Sequence, residues 1–242
     1  MKKALLIAAA ALAPGPALAD HRDIKVTDRG VFMPSVRLGV DIHPRGESPA
    51  VPHAGHAFEF GATGASGEAD QSRSVGAPTL VFGGQTFAAP VELRHDFDFR
   101  FYEAAYRYRH FFGAGQFGIE ALGGLGYAQY ELTTSSPAQR ASQKLSSGGL
   151  VGGFGIVWKF LPQTSLQSRI TLFGSGENEG VTGAARWDVF VSQAIARNVG
   201  LRLGLTSWSV VSSREDDNDF SSLNSRIDGR FSGVALGLEA AF

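Results

Sequence analysis

The six histidines are the side chains of this sequence best suited to metal or proton chemistry, and four of them, His43, His53, His56 and His95, fall between residues 43 and 95. His53-x-x-His56, with Glu59 or Asp96 as a carboxylate partner, offers the ligand types that hold zinc or copper. A metal site also needs fixed ligand geometry. The segment around His53 and His56 is rich in Gly, Ala, Ser and Pro and fixes none, so it is expected to be an exposed polar loop with no metal. His95-Asp96 could serve a hydrolase, and acyl transfer would need a Ser–His pair with an acidic partner. No such partner is evident on another predicted strand, His110 sits beside a short turn, and no nucleophile elbow occurs. The expectation is a non-enzymatic chain with no catalytic residue and no cofactor. The acidic run Arg214 to Phe220 matches a calcium loop in composition but not in spacing, and reads as solvated charge.

The charge balance is −1 with no basic block, which argues against a nucleic-acid partner. There is no cysteine, so disulfide staples and thiolate chemistry are excluded. Lys2 and Lys3, the apolar run Ala4 to Ala13 and the small-x-small triplet Ala17-Leu18-Ala19 form a secretory signal peptide over 1–19. The domain proper is expected over 20–242.

The elements that must position any chemistry are strands. At the C-terminus Val234, Leu236, Leu238, Ala240 and Phe242 share one parity, and Gly233, Ala235, Gly237, Glu239 and Ala241 the other. A period of two with one apolar face is a strand. The same alternation predicts strands at Val36–Ile42, His95–Arg109, Phe117–Tyr127, Leu150–Phe160, Leu166–Leu172, Ala185–Val191 and Val199–Leu205. That makes eight strands, with a long first loop about 43–94. Within His95–Arg109 the aromatics change parity, from Phe97, Phe99 and Phe101 to Tyr102, Tyr106 and Tyr108. A β-bulge at Phe101/Tyr102 would keep both sets on one face. Weak alternation at 56–62 and 79–88 leaves ten strands as the alternative.

Opposite the apolar parity lie Arg37, Asp41, Asp98, Arg100, Glu103, Arg107, Arg109, Glu120, Lys159, Arg169, Arg186, Asp188, Arg202 and Glu239. In a narrow barrel they would meet across the lumen as a charge network, with Gly124, Gly126, Gly153, Gly155, Gly204 and Gly237 making room for arginines. In a soluble lipocalin-like barrel, the competing fold, they would be surface charge. Tyr106, Tyr108, Phe111, Phe112, Phe117, Trp158 and Phe160 gather near the short connections, as an interfacial girdle does.

From about Asp96 to Phe242 this pattern resembles the small bacterial outer-membrane β-barrels of the OmpA transmembrane-domain and OmpX type. The features that carry the resemblance are the alternating strands, short turns opposite longer loops, and a terminal strand ending in Phe242. The resemblance implies an all-β, antiparallel, up-and-down transmembrane barrel in the cell outer membrane, with both termini on the periplasmic side. It also implies partners: outer-membrane lipid and lipopolysaccharide around it, and the barrel-assembly machinery, which would read Val234, Leu236, Leu238 and Phe242 as an insertion signal. The expected role is structural or surface-interacting, in adhesion or envelope integrity. A narrow pore for small solutes, and a lipid-modifying enzyme or protease, are the alternatives.

Overall fold

The computed structural model describes residues 24–42, 54–73, 79–112, 115–176, 180–196, 199–214 and 225–241. They form eleven strands: β1 (Ile24–Ile42), β2 (Gly55–Arg73), β3 (Leu80–Phe82), β4 (Gln85–Phe87), β5 (Val91–Phe112), β6 (Phe117–Ser135), β7 (Arg140–Leu161), β8 (Thr164–Gly174), β9 (Gly180–Ala196), β10 (Val199–Arg214) and β11 (Ser225–Ala241). Nine of them close into a ring in the order β1-β11-β10-β9-β8-β7-β6-β5-β2, and β3 pairs only with β4. Neighbours are antiparallel except β1 and β11, which run parallel. Phe242, the signal segment, His43, His53 and the acidic residues after Arg214 lie outside the described residues.

The ring therefore has nine strands rather than eight, and the missing one is β2, inside the segment expected to be a long loop. Of the two weakly alternating runs that left ten strands as the alternative, 56–62 lies in the ring strand β2 and 79–88 forms the β3–β4 hairpin. β2 hides in sequence because small residues, Ala57, Gly61, Ala65, Gly67 and Ala69, make up most of its inner face. A Cβ at Gly61 would stand 2.8 Å from the Glu103 Cγ, and one at Gly67 would stand 2.8 Å from Phe97 Cε1. Small residues there make room for large ones leaning across from β5, and they erase the hydrophobic contrast that marks a strand. β1 also starts twelve residues earlier than its alternation suggests, at Ile24 rather than Val36. Gly30, at φ +95, sits in a register shift between Arg29 and Val31. The extra residue moves the inward set from Ile24 and Val26 to Val31 and Met33, breaking the period.

An odd strand count puts the start of β1 and the end of β11 at opposite ends of the ring, contrary to the expected arrangement of the termini. β2 and β5–β11 alone make an even antiparallel meander, and β1 is inserted between its first and last strands. The connections 113–116, 162–163, 197–198 and 43–54 share the end that we term lower; 74–90, 136–139, 175–179 and 215–224 share the upper end.

β5 spans 22 residues with unbroken pairing to both β2 and β6. No bulge occurs at Phe101/Tyr102. Phe97, Phe99 and Phe101 point inward together with Glu103, Arg107 and Arg109, while Arg100, Tyr102, Tyr106 and Tyr108 point outward. The ring accordingly has two storeys of opposite polarity. In the lower one, Leu38, Phe58, Tyr106, Leu125, Phe154, Leu203 and Leu236 are exposed outside over a charged interior. In the upper one, Phe97, Phe99, Phe101, Tyr130, Trp208 and Phe231 pack inside. The Phe99 ring lies 4.8 Å from Trp208 and 5.2 Å from Phe231. Leu80, Phe82 and Phe87 of the hairpin are buried in the same cluster at its upper end. Outside this storey Arg94 pairs with Glu68 and Asp96, and Arg100 with Asp98.

The insertion of β1 is open to a direct check, since the chain has no cysteine of its own. Val36 is register partner to Leu238 on one side and Ala62 on the other. Val36→Cys with Leu238→Cys is expected to form a disulfide on mild oxidation, seen as a loss of two hydrogens by mass spectrometry. Ala62→Cys with Leu238→Cys is expected to stay reduced, because β1 stands between them. The reverse pattern would mean that β2 closes directly on β11 in an eight-stranded ring.

Candidate functional site: the ion-paired lumen

The lower storey encloses the densest set of ionisable groups in the described structure. Six arginines (37, 107, 109, 169, 186, 202) and the carboxylates of Glu59, Glu103, Glu120 and Asp188 are at least nine-tenths buried, with Glu239 partly buried beside them. Each is delivered by strand alternation alone: β5 supplies Glu103, Arg107 and Arg109 at inward positions, β8 Arg169, β9 Arg186 and Asp188, β10 Arg202.

Arg169 is the hub. Its Nε donates to Glu120 Oε1 at 2.6 Å and its Nη1 to Glu59 Oε2 at 2.9 Å. Arg109 completes Glu120 with Nη2 at 2.7 Å and Nε at 3.2 Å. Arg107 Nη1 donates to Glu59 Oε1 at 2.5 Å, and Arg37 Nε approaches the other oxygen at 3.9 Å. Nearer the aromatic storey, Arg186 spans Glu103 and Asp188, each at 2.9 Å, and the Thr206 hydroxyl donates to Asp188 at 2.5 Å. The Arg186 guanidinium also lies over Trp208 at 5.1 Å and Phe101 at 5.8 Å, joining the two storeys. Arg202 stacks on Phe190 at 4.2 Å and stands 3.7 Å from Glu239. The glycines make room for neighbouring backbone, apolar side chains, Ser35 and Glu120 rather than for arginines. A Cβ at Gly155 would stand 2.8 Å from Glu120 Oε1, and one at Gly126 would stand 2.6 Å from Val151 Cγ2.

Of the residues expected in the network, Arg37, Glu103, Arg107, Arg109, Glu120, Arg169, Arg186, Asp188, Arg202 and Glu239 converge in the lumen. Asp98 and Arg100 do not. They pair with each other on the outer face of the upper storey, because the bulge that would have turned them inward is absent. Lys159 lies at the lower mouth, 4.0 Å over the Phe111 ring. Phe111 thus serves the inside, whereas Tyr106, Tyr108, Phe112, Phe117, Trp158 and Phe160 are exposed outside. Asp41 is on β1, but its side chain is outside the described set. Glu59, named in sequence only as a carboxylate partner for His53 and His56, belongs to the network instead: it is a partner of three arginines and alternates with Phe58 and Phe60 on β2.

Among the described residues the candidate chemistry of the histidines does not assemble; His43 and His53 lie outside them. His56 is exposed on the outer face, hydrogen-bonded through Nδ1 to the Tyr106 hydroxyl. His95 is fully buried; its Nε2 donates to Gln71 Oε1 at 3.1 Å and its Nδ1 accepts from the Thr134 hydroxyl at 2.9 Å. Among the described residues no group of three or more His, Asp or Glu is placed to hold a metal ion. Comparison with known proteins gives no match to a family model, to a curated protein or to a solved structure.

Removing one member of a buried ion-paired set strands its partners without water. Glu120→Ala leaves Arg109 and Arg169 each short of a carboxylate, and is expected to lower unfolding stability in urea by roughly 3–5 kcal/mol. Asp98→Ala breaks an exposed pair and is expected to cost less than about 1 kcal/mol. Equal effects would mean that the lumen is hydrated enough to screen its charges.

Proposed function

We propose that this chain is a β-barrel of the bacterial outer membrane, exported by its N-terminal signal peptide, with a sealed lumen and a structural or surface-interacting role. The observation that carries the reading is the polarity inversion. Exposed apolar side chains ring every strand at one level, with buried ion pairs behind them, while above that level the outer face carries Asp98, Arg100, Glu131, Lys144, Ser209 and Arg230. Water would not sustain so wide an apolar belt on a monomer. Along β5 the belt runs from Tyr102 to Phe112. At about 3.4 Å per residue and the ~40° tilt usual for such barrels, that is about 26 Å, close to the apolar height of an outer-membrane barrel. Tyr106, Tyr108, Phe112, Phe117, Trp158 and Phe160 cluster toward its lower edge, as an interfacial girdle does.

The upper storey, polar outside and apolar inside, then stands in water beyond the lipid headgroups, with the longer connections at its rim on the cell exterior. Lipid and lipopolysaccharide surround the lower belt, and the barrel-assembly machinery inserts it. A pore is disfavoured because ion pairs fill the lower lumen and aromatic rings the upper. A lipid-modifying or proteolytic role has no support from the placement of His56 and His95. The remaining role for the molecule is to hold a rigid protein wall and its loops above the membrane for adhesion or envelope integrity.

The test separates this from a soluble barrel. Leu203 is half exposed in the middle of the belt. Leu203→Arg is expected to destabilise the barrel folded in lipid by about 2–4 kcal/mol. Ser209→Arg, on the same strand above the belt, is expected to change it by less than about 0.5 kcal/mol. The purified chain should fold into phospholipid vesicles with a heat-sensitive gel shift and give no conductance steps in a planar bilayer. A chain that stays soluble without detergent, and tolerates Leu203→Arg, would sink the membrane assignment.

A further inference from the structure

Where the ionic storey meets the aromatic one, a cavity of about 20 Å3 opens between β1, β2, β5, β9, β10 and β11. Its walls carry the side chains of Arg37, Arg186 and Arg202 and the carboxylates of Glu103 and Asp188. A single water needs about 10–15 Å3, so the space takes one small guest.

Two of these arginines are under-paired. Among the described residues the one carboxylate within 4.0 Å of Arg37 is Glu59, at 3.9 Å, and its oxygens already receive Arg107 and Arg169 at 2.5 and 2.9 Å. Among the described residues Arg202 comes within 4.0 Å of one carboxylate, Glu239, at 3.7 Å. Both are more than nine-tenths buried, and Arg37 Nη1 and Arg202 Nε have no hydrogen-bond partner among the described residues. Arg186, by contrast, is held between Glu103 and Asp188. The wall thus presents three cations to two anions. Among the described side chains of the network, six arginines meet five carboxylates. Donors left unmet in a dry interior are costly, and a surplus cation more so.

We propose that this cavity is a binding site for one small monovalent anion, of chloride or bromide size, that accepts hydrogen bonds from Arg37 and Arg202 and balances the charge of the lumen. A neutral water would meet the donors but leave the charge. The small volume excludes sulfate and phosphate. The site is independent of the membrane assignment, since it depends only on what the lumen encloses.

The ion would be trapped at folding, so the test begins from denatured chain refolded into detergent in sodium bromide, and in sodium gluconate at equal ionic strength. The expected result is one bromide peak in anomalous diffraction between Arg37 and Arg202, and thermal unfolding about threefold slower or more in halide than in gluconate. Arg202→Gln with Glu239→Gln removes one charge of each sign and is expected to abolish the halide dependence. If that variant does not fold, the bromide map of the unaltered protein decides. Absence of the peak, with a water in the cavity in both salts, or equal unfolding rates in the two salts, overturns the proposal.

Discussion

A strand cannot move a side chain from one face to the other without an extra residue, and β5 has none. Its pairing to β2 and β6 runs unbroken over its length. Phe97, Phe99 and Phe101 must therefore share a face with Glu103, Arg107 and Arg109. The rest of the molecule accommodates that single constraint. Where the inner face is aromatic, the facing strands bring Trp208, Phe231 and Tyr130 to meet it, and the outer face is charged. Where the inner face turns ionic, the facing strands bring Glu59, Glu120, Arg169 and Arg186, and the outer face turns apolar. Arg186, stacked against Phe101 and Trp208 while bound to Glu103 and Asp188, is the side chain at which the two regimes touch.

The two storeys are held by different forces. The upper one is an ordinary hydrophobic core, driven by removing aromatic surface from water. In the lower storey, with lipid outside as proposed, burying apolar side chains inward would yield little, because a bilayer is already apolar. Ion pairs then specify which face is inside. A register slip of one residue would turn Arg169 or Glu120 onto the apolar outer belt, which in the proposed membrane setting is a far larger penalty than misplacing a leucine. Buried pairs of this kind add little net stability over a well-packed apolar core, so their value here lies in fixing register and closure.

What could be read in the sequence followed from contrast between neighbouring residues. The outward sets of β6 to β11 alternate cleanly with charged or small inward residues, and the inner and outer assignments of Phe117 to Tyr127, Leu201 to Leu205 and Val234 to Leu238 agree with the structure. Most of the lumen charges were legible for the same reason. The failures came where contrast vanished or misled. β2 lacks contrast because Gly61 and Gly67 yield their space to Glu103 and Phe97. In β5 the aromatics change face where the environment changes, and an argument that all aromatics share one face turned this into a bulge and carried Asp98 and Arg100 to the wrong side. In β1 a real bulge, at Gly30, concealed the first half of the strand.

β1 also explains how an even meander comes to have nine strands. From Ser35 to Gly39 it pairs on both sides, parallel to β11 and antiparallel to β2, and Val40 to Ile42 continue the ladder to β2. Its upper half pairs with β11 alone, since the ladder to β2 begins only at Ser35↔Thr63. Pro34, which has no N–H to give a ladder, is the residue just above that point. Above it Asp28 reaches toward Gly67 across the seam, where a Cβ would collide with its carboxylate. The join between β1 and β2 is thus complete through the apolar belt, where an unpaired backbone group facing lipid would be most costly. It is relaxed in the storey proposed to stand in water, where solvent can satisfy those groups. The division of labour seen in the side chains is repeated in the backbone: pairing is fullest where the surroundings offer no substitute for it.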